Sequence, residues 1–305
     1  MDRKKGTDLT VKLGPIQLKN PVMLASGTCG YGIELSDLID LKSFGAVVVK
    51  GISLEPRPGN PPPRIYETPC GLLNAIGLEN VGVRQFIEKK LPWLRRHKVA
   101  TIVNILGNSI DEYKMITSHL SQAPGIMALE VNISCPNVKE GGVTFGKTPE
   151  GTYEVTKAVC NESDLPVIVK LTPNVSDIGP IAKAAEAGGA HAISLINTLL
   201  GMAIDIDARR PVLGNVFGGL SGPAIKPVAL RMVWEAARAV TLPIIGIGGI
   251  TTWRDGVEFL MAGASAIQVG TGTLIEPDCA KKVLDGIESF MRERGYREVE
   301  DLWIK

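Results

Sequence analysis

Eight short apolar runs, each rich in β-branched residues, recur along the chain. They are residues 21–26 (PVMLAS), 46–50 (AVVVK), 100–106 (ATIVNIL), 126–134 (IMALEVNIS), 166–171 (PVIVKL), 190–197 (AHAISLIN), 243–247 (PIIGI) and 264–270 (ASAIQVG). They are continuously hydrophobic rather than alternating, the pattern of strands covered on both faces in a parallel sheet. Helix-like segments separate them. One is read from Ser176 as cap through Ile178, Ile181, Ala182 and Ala185 at helical spacing, with Gly188-Gly189 as its stop. Another begins at Pro227, a residue suited to the first helical position, and carries Met232, Val233 and Ala236. Eight strands alternating with helices over 305 residues predict an α/β chain folded as a (β/α)8 (TIM) barrel. An open doubly wound sheet is the alternative, because strand order is not written in one sequence. Residues 10–18 alternate around Gly14-Pro15 and predict an N-terminal β-hairpin at the barrel floor.

Composition narrows the functional classes. The chain is 45% hydrophobic and 21% charged, with 33 basic and 32 acidic residues for a net charge of +1. That balance excludes a disordered chain and lacks the basic excess of a nucleic-acid or polybasic membrane binder. No run approaches the roughly 18 to 20 apolar residues of a membrane span. The polar start, Met1-Asp2-Arg3-Lys4-Lys5-Gly6, lacks the apolar core of a signal peptide. Five cysteines (Cys29, Cys70, Cys135, Cys160 and Cys279) include no C-x-x-C pair. They predict neither a disulfide framework nor a metal or iron–sulfur site held by this chain alone, and a cytoplasmic location. No linker divides the chain, so residues 1–305 are expected to form one domain.

Active sites in this fold gather at the C-terminal ends of the strands. Read there, strand by strand, stand Ser26, Lys50, Asn104, Asn132 with Ser134-Cys135, Lys170, Asn197-Thr198, Gly248-Gly249 and Gly270-Thr271. Apolar packing has no use for lysine at the end of two buried strands, and the polar residues recur on nearly every strand. Gly246-Ile247-Gly248-Gly249 runs into a helix expected near Thr251, and Gly270-Thr271-Gly272-Thr273 follows the eighth strand. Glycines let backbone amides approach phosphate oxygens, and the loops after strands seven and eight are the usual phosphate site of the fold. Tight turning is the plainer reason for such glycines. Cys135 follows strand four; a thiol of pKa near 8.5 could serve there as base or nucleophile, or be a small buried hydrophobe. Residues 139–146 (KEGGVTFG) read as a flap over the mouth. Two long connections, residues 53–78 with six prolines and the glycine-rich residues 197–226, are expected to carry function.

The stretches Val49-Lys50-Gly51, 71–80 (GLLNAIGLEN), 132–137 (NISCPN), Val169-Lys170-Leu171, Ile196-Asn197-Thr198, 218–223 (GGLSGP), 246–250 (GIGGI) and Gly270-Thr271 carry a resemblance. The sequence resembles, from end to end, the class 1 dihydroorotate dehydrogenases, and most closely the NAD-linked class 1B form. The resemblance implies oxidation of dihydroorotate to orotate in pyrimidine biosynthesis. Cys135 matches the base that removes the carbon-5 proton, and the hydride from carbon 6 passes to FMN. The FMN positions match Ser26, Lys50, Gly51, Asn104, Asn132, Lys170, Ile196, Gly222, Gly248, Gly249, Gly270 and Thr271, with Lys170 at the flavin's N1 and O2 edge. The substrate positions match Lys50, Asn74, Ala75, Ile76, Gly77, Leu78, Asn132, Asn197 and Thr198. Asparagine amides and the threonine hydroxyl suit the ring N–H and C=O groups, and Lys50 with the amides of 75–78 suits the carboxylate. The resemblance also implies a homodimer core within a heterotetramer, with a partner subunit bearing FAD and a [2Fe–2S] cluster that passes electrons to NAD⁺. Class 1A relatives act alone as dimers on fumarate. Dihydropyrimidine dehydrogenases share the barrel and its cysteine. From other classes, an aldolase with a Lys170 Schiff base and a non-catalytic flavin or phosphate binder stay open.

Overall fold

A computed structural model describes residues 6–134 and 145–304. Cys135, and the expected flap apart from Phe145 and Gly146, lie outside the described residues.

All eight apolar runs form strands: β1 Val22–Leu24, β2 Ala46–Ile52, β3 Thr101–Ile105, β4 Ala128–Asn132, β5 Val167–Leu171, β6 Ala192–Leu195, β7 Ile244–Ile247 and β8 Ala266–Val269. Every ladder between neighbours is parallel, and the sheet closes in chain order, β8 against β1. Closure decides against the open sheet, which would leave two unpaired edges. The continuous apolar runs are explained by burial on both faces: Val47 to Val49, Ile102, Val103, Val167 to Val169 and Ile193 are all fully covered.

Helices cover the outside. They include Ile110–Ser121 after β3, Pro149–Glu162 after β4, Gly179–Ala187 after β5, Lys226–Ala239 after β6, Trp253–Met261 after β7 and Cys279–Arg294 after β8. Two starts differ from expectation. Ser176 is not a cap: the helix after β5 begins at Gly179, whose N–H donates to Asp177 Oδ1 at 2.9 Å, and Pro180 presets its first turn. The helix after β6 begins one residue ahead of Pro227, which sits in its first turn. No helix among the described residues is long and apolar enough to cross a membrane.

The hairpin Val11–Leu13 with Ile16–Leu18 buries Val11, Leu13, Ile16 and Leu18. Its turn residue Gly14 abuts the carbonyl of His191, immediately before β6, which places the hairpin at the floor. At the opposite end the two long connections form one structure. Leu199–Gly201, Gly218–Ser221, Gly71–Asn74 and Ile65–Thr68 make a four-stranded antiparallel sheet in that order, joining residues some 145 apart in sequence.

Candidate active site

The end of β2 sets the first cation. Pairing of β2 with β3 shifts between Val49 and Ile52, so Lys50 and Gly51 fall on an irregularity of the ladder. Such bulges re-aim a side chain and concentrate beside active sites. A Cβ at Gly51 would lie 2.8 Å from Asn104 Oδ1, so only glycine lets β3's asparagine approach this closely. The Lys50 N–H donates to Gly30 O at 2.8 Å. Its ammonium is half-buried, and among the described residues it makes no ion pair. Burial therefore pushes its pKa down, against the opposing pull of Glu79.

The end of β5 sets the second cation. Lys170 is 5% exposed, with its Nζ 3.3 Å from Ser26 Oγ and 3.9 Å from Glu130 Oε1. Glu130, fully buried within β4, was not singled out by sequence reasoning. Asn104 Nδ2 donates to it at 2.8 Å, Ser194 Oγ at 2.9 Å and Gln268 Nε2 at 2.7 Å. The signal was present as one carboxylate inside an otherwise apolar run, Ala128–Asn132.

Amides fill the space beside the cations. Asn197 Nδ2 donates to Asn132 Oδ1 at 3.4 Å, and Asn132 Oδ1 also accepts the Ser134 N–H at 3.1 Å. The Asn132 carbonyl accepts from the Tyr113 hydroxyl at 2.7 Å. Asn197 Oδ1 accepts from the Thr198 N–H at 2.9 Å, and Asn174 Nδ2 donates to the Thr198 carbonyl at 3.1 Å. The antiparallel sheet brings in Asn74, whose Nδ2 donates to Gly219 O at 3.3 Å. In the stretch that follows, the Ala75 N–H is engaged by Arg64 O at 2.8 Å and is no open donor, unlike the expectation for 75–78. Leu78 holds a φ of 61°, a left-handed conformation uncommon for leucine and typical of strained functional loops. Tyr113, Asn174 and Arg64 had no sequence signal.

The ends of β7 and β8 form a third feature. Gly248 and Gly249 have φ values of 127° and 74°. A Cβ on Gly249 would sit 2.7 Å from Lys226 Cβ and 2.9 Å from Gly222 O, and one on Gly248 2.7 Å from Ala229 Cβ. Glycine at both positions lets the turn after β7 lie directly against the start of the helix Lys226–Ala239 and the Gly222 carbonyl. Asp255 fixes the chain that follows: it accepts the N–H groups of Thr251 and Thr252 and the Lys226 Nζ, the last at 2.7 Å. Thr271 Oγ1 donates to Ser221 Oγ at 2.8 Å. Ile196 is buried immediately after β6. Gly270 differs from the other glycines: its Cβ position is 3.4 Å from Ala25 Cβ, an ordinary contact.

A closed parallel barrel with two lysines, a set of amides and a glycine turn at the ends of its strands belongs to the (β/α)8-barrel proteins, whose active sites gather at that face. Comparison with known sequences narrows the class. The family model for dihydroorotate dehydrogenase matches residues 8–291, and the chain belongs to that family of oxidoreductases. It is 54% identical over 295 residues to a protein of Thermoanaerobacter sp. (strain X514), covering 97% of each chain. It is 53% identical, over 295 residues and the same shares, to one of Geotalea uraniireducens (strain Rf4). Both relatives are named dihydroorotate dehydrogenase B (NAD(+)), catalytic subunit.

Proposed function

We propose that this chain is the catalytic subunit of an NAD-linked dihydroorotate dehydrogenase: it oxidises (S)-dihydroorotate to orotate in pyrimidine biosynthesis. The observation that carries the reading is the convergence of the left-handed Gly248-Gly249 turn and the buried Lys170 ammonium on one mouth, in a member of this family. Those residues fit FMN. The left-handed Gly248-Gly249 turn, packed against the first turn of the helix Lys226–Ala239, suits its phosphate through backbone N–H groups, with Gly222, Gly270 and Thr271 beside it. A buried ammonium suits the electron-rich pyrimidine edge of its ring. When bound, FMN supplies the hydride acceptor.

The chain's own residues do the rest. Cys135 removes the carbon-5 proton as general base. Asn74, Asn132, Asn197 and Thr198 orient the pyrimidine through its N–H and C=O groups. Lys50 holds the carboxylate, together with the N–H groups of Ile76, Gly77 and Leu78. The antiparallel sheet over the mouth excludes water. The whole chain serves as one FMN-binding domain. It forms a homodimer core in a heterotetramer, and the partner subunit, carrying FAD and [2Fe–2S], relays electrons to NAD⁺. The unpaired cysteines Cys29, Cys70, Cys160 and Cys279 fit the reducing cytoplasm as its location.

Purification tests this directly. The protein is expected to be yellow with one FMN per chain, to be bleached by dihydroorotate, and to reduce NAD⁺ only with its partner subunit. A colourless protein that stays colourless with added FMN would sink the reading. A lone dimer passing electrons to fumarate would move it to the class 1A group, and borohydride trapping of a substrate on Lys170 would favour an aldolase.

The glycine turn gives a narrower test. Gly249→Ala places a Cβ in a left-handed turn and against both Lys226 and Gly222. We expect FMN affinity, measured by fluorescence titration of the apoprotein, to fall at least tenfold. Unchanged affinity would remove Gly249 from the phosphate site.

A further inference from the structure

Beneath the mouth lies a layer that packing does not require. Barrel interiors of this fold are filled mainly by branched aliphatic side chains. Here Asn104 of β3, Glu130 of β4, Ser194 of β6 and Gln268 of β8 meet inside the barrel, each at most 1% exposed. Three donors converge on the two Glu130 oxygens at 2.7 to 2.9 Å. Above them stands Lys170, whose Nζ is 3.9 Å from Glu130 Oε1 and 3.3 Å from Ser26 Oγ. A buried ion pair stabilises a fold poorly, since well-packed hydrocarbon of the same volume is often as good or better. The layer therefore calls for a reason other than stability.

We propose that Glu130 is a positioning residue that acts through Lys170. Hydrogen bonds from three neighbours hold the carboxylate in one place. The carboxylate in turn holds the ammonium at the mouth and offsets its charge. The flavin ring then meets a charge-balanced pair rather than a bare cation, and the pair sets its reduction potential. This inference rests on the reading of the mouth as an FMN site. Its sign follows from electrostatics. A two-electron-reduced flavin is anionic, so a stronger net positive charge beside it favours reduction.

Glu130→Gln removes the charge while the layer can keep its hydrogen bonds. Gln268 Oε1 has no partner among the described residues, so it can accept from the new amide. The Ser194 hydroxyl can reverse its role, and the Asn104 amide can turn over. Spectroelectrochemical titration of the FMN-loaded protein is expected to show a higher midpoint potential in Glu130→Gln. A tenfold shift toward the reduced form corresponds to about 30 mV for a two-electron couple, and the shift is expected to reach at least that. Glu130→Asp keeps the charge but withdraws it by one methylene. It is expected to shift the potential in the same direction by less, and it decides the question alone if Glu130→Gln does not fold. A wild-type potential in a folded, FMN-loaded variant, even one that melts earlier, would overturn the proposal and leave Glu130 a packing residue. So would a lowered potential. A wild-type protein that takes up no FMN would instead overturn the reading of the site on which the proposal stands.

Discussion

Cys135→Ala is expected to keep its FMN and its fold but to lose most of its reduction by dihydroorotate near neutral pH. General base catalysis by a positioned side chain contributes roughly 10²- to 10⁴-fold, and stopped-flow bleaching of the flavin is expected to slow by that order. The residue before it is well anchored. Ser134 is held by two bonds, its N–H to Asn132 Oδ1 at 3.1 Å and its Oγ to the Lys170 carbonyl at 3.2 Å. Those bonds fix Ser134, the last described residue of this stretch, beside β5. Cys135→Ser separates a base from a bystander. A hydroxyl is a far weaker acid than a thiol of pKa about 8.5, so less of it ionises at any given pH. Its rate is expected to be low at neutral pH and to climb as pH rises. Bleaching of Cys135→Ala at the wild-type rate would end the assignment, and a Cys135→Ser profile parallel to wild type would count against it.

The barrel was legible because its strands are buried on both faces. Runs such as AVVVK and PVIVKL have one interpretation once covered by helices outside and by each other inside, and all eight became β1 to β8. Closure was not legible, because it depends on which strand pairs with which and leaves no trace in any one run. The sheet over the mouth was missed for a related reason. Gly71–Asn74 and Gly218–Ser221 are four residues each, glycine-bearing and half-exposed, so neither shows a period. Their stability comes from pairing with each other, Gly219 opposite Asn74, which a local pattern cannot encode.

The candidate site divides along the same line. Residues at strand ends could be named from position alone: Lys50, Lys170, Asn132 and the glycine pair. Residues that act by touching those were silent. Glu130 sits in a run counted as hydrophobic, and Tyr113 reaches Asn132 from the helix after β3. Ser176 failed as a cap because a good capping residue in sequence competes with its neighbours, and here Asp177 meets the first free N–H.

Lys50→Ala is expected to weaken orotate binding by about 30-fold to several thousandfold, since truncating one partner of a buried charged hydrogen bond costs about 2–5 kcal/mol. The cause is visible in the unliganded protein. Lys50 is half-buried without an ion pair among the described residues, so its ammonium has given up water and the more distant pull of Glu79 only partly offsets that loss. A bound carboxylate supplies a direct counter-charge. The direction of the pKa shift fixes the pH dependence. Folding lowers the Lys50 pKa, so between its folded and unfolded values the unfolded chain binds more protons, and Lys50's cost to stability shrinks as pH rises through that window. Ligand binding runs the other way, because the carboxylate needs the protonated amine. Orotate affinity is therefore expected to fall with rising pH, beginning below the pH at which an exposed lysine would titrate, and binding on the alkaline side is expected to take up a proton. Unliganded Lys50→Ala, relieved of a cation only partly compensated, is expected to melt no earlier than wild type. Calorimetric titration of both proteins across alkaline pH reads the affinity and the proton uptake, and thermal melting reads the stability: wild-type orotate affinity in Lys50→Ala, or a pH profile that the substitution leaves in place, would remove Lys50 from the carboxylate site.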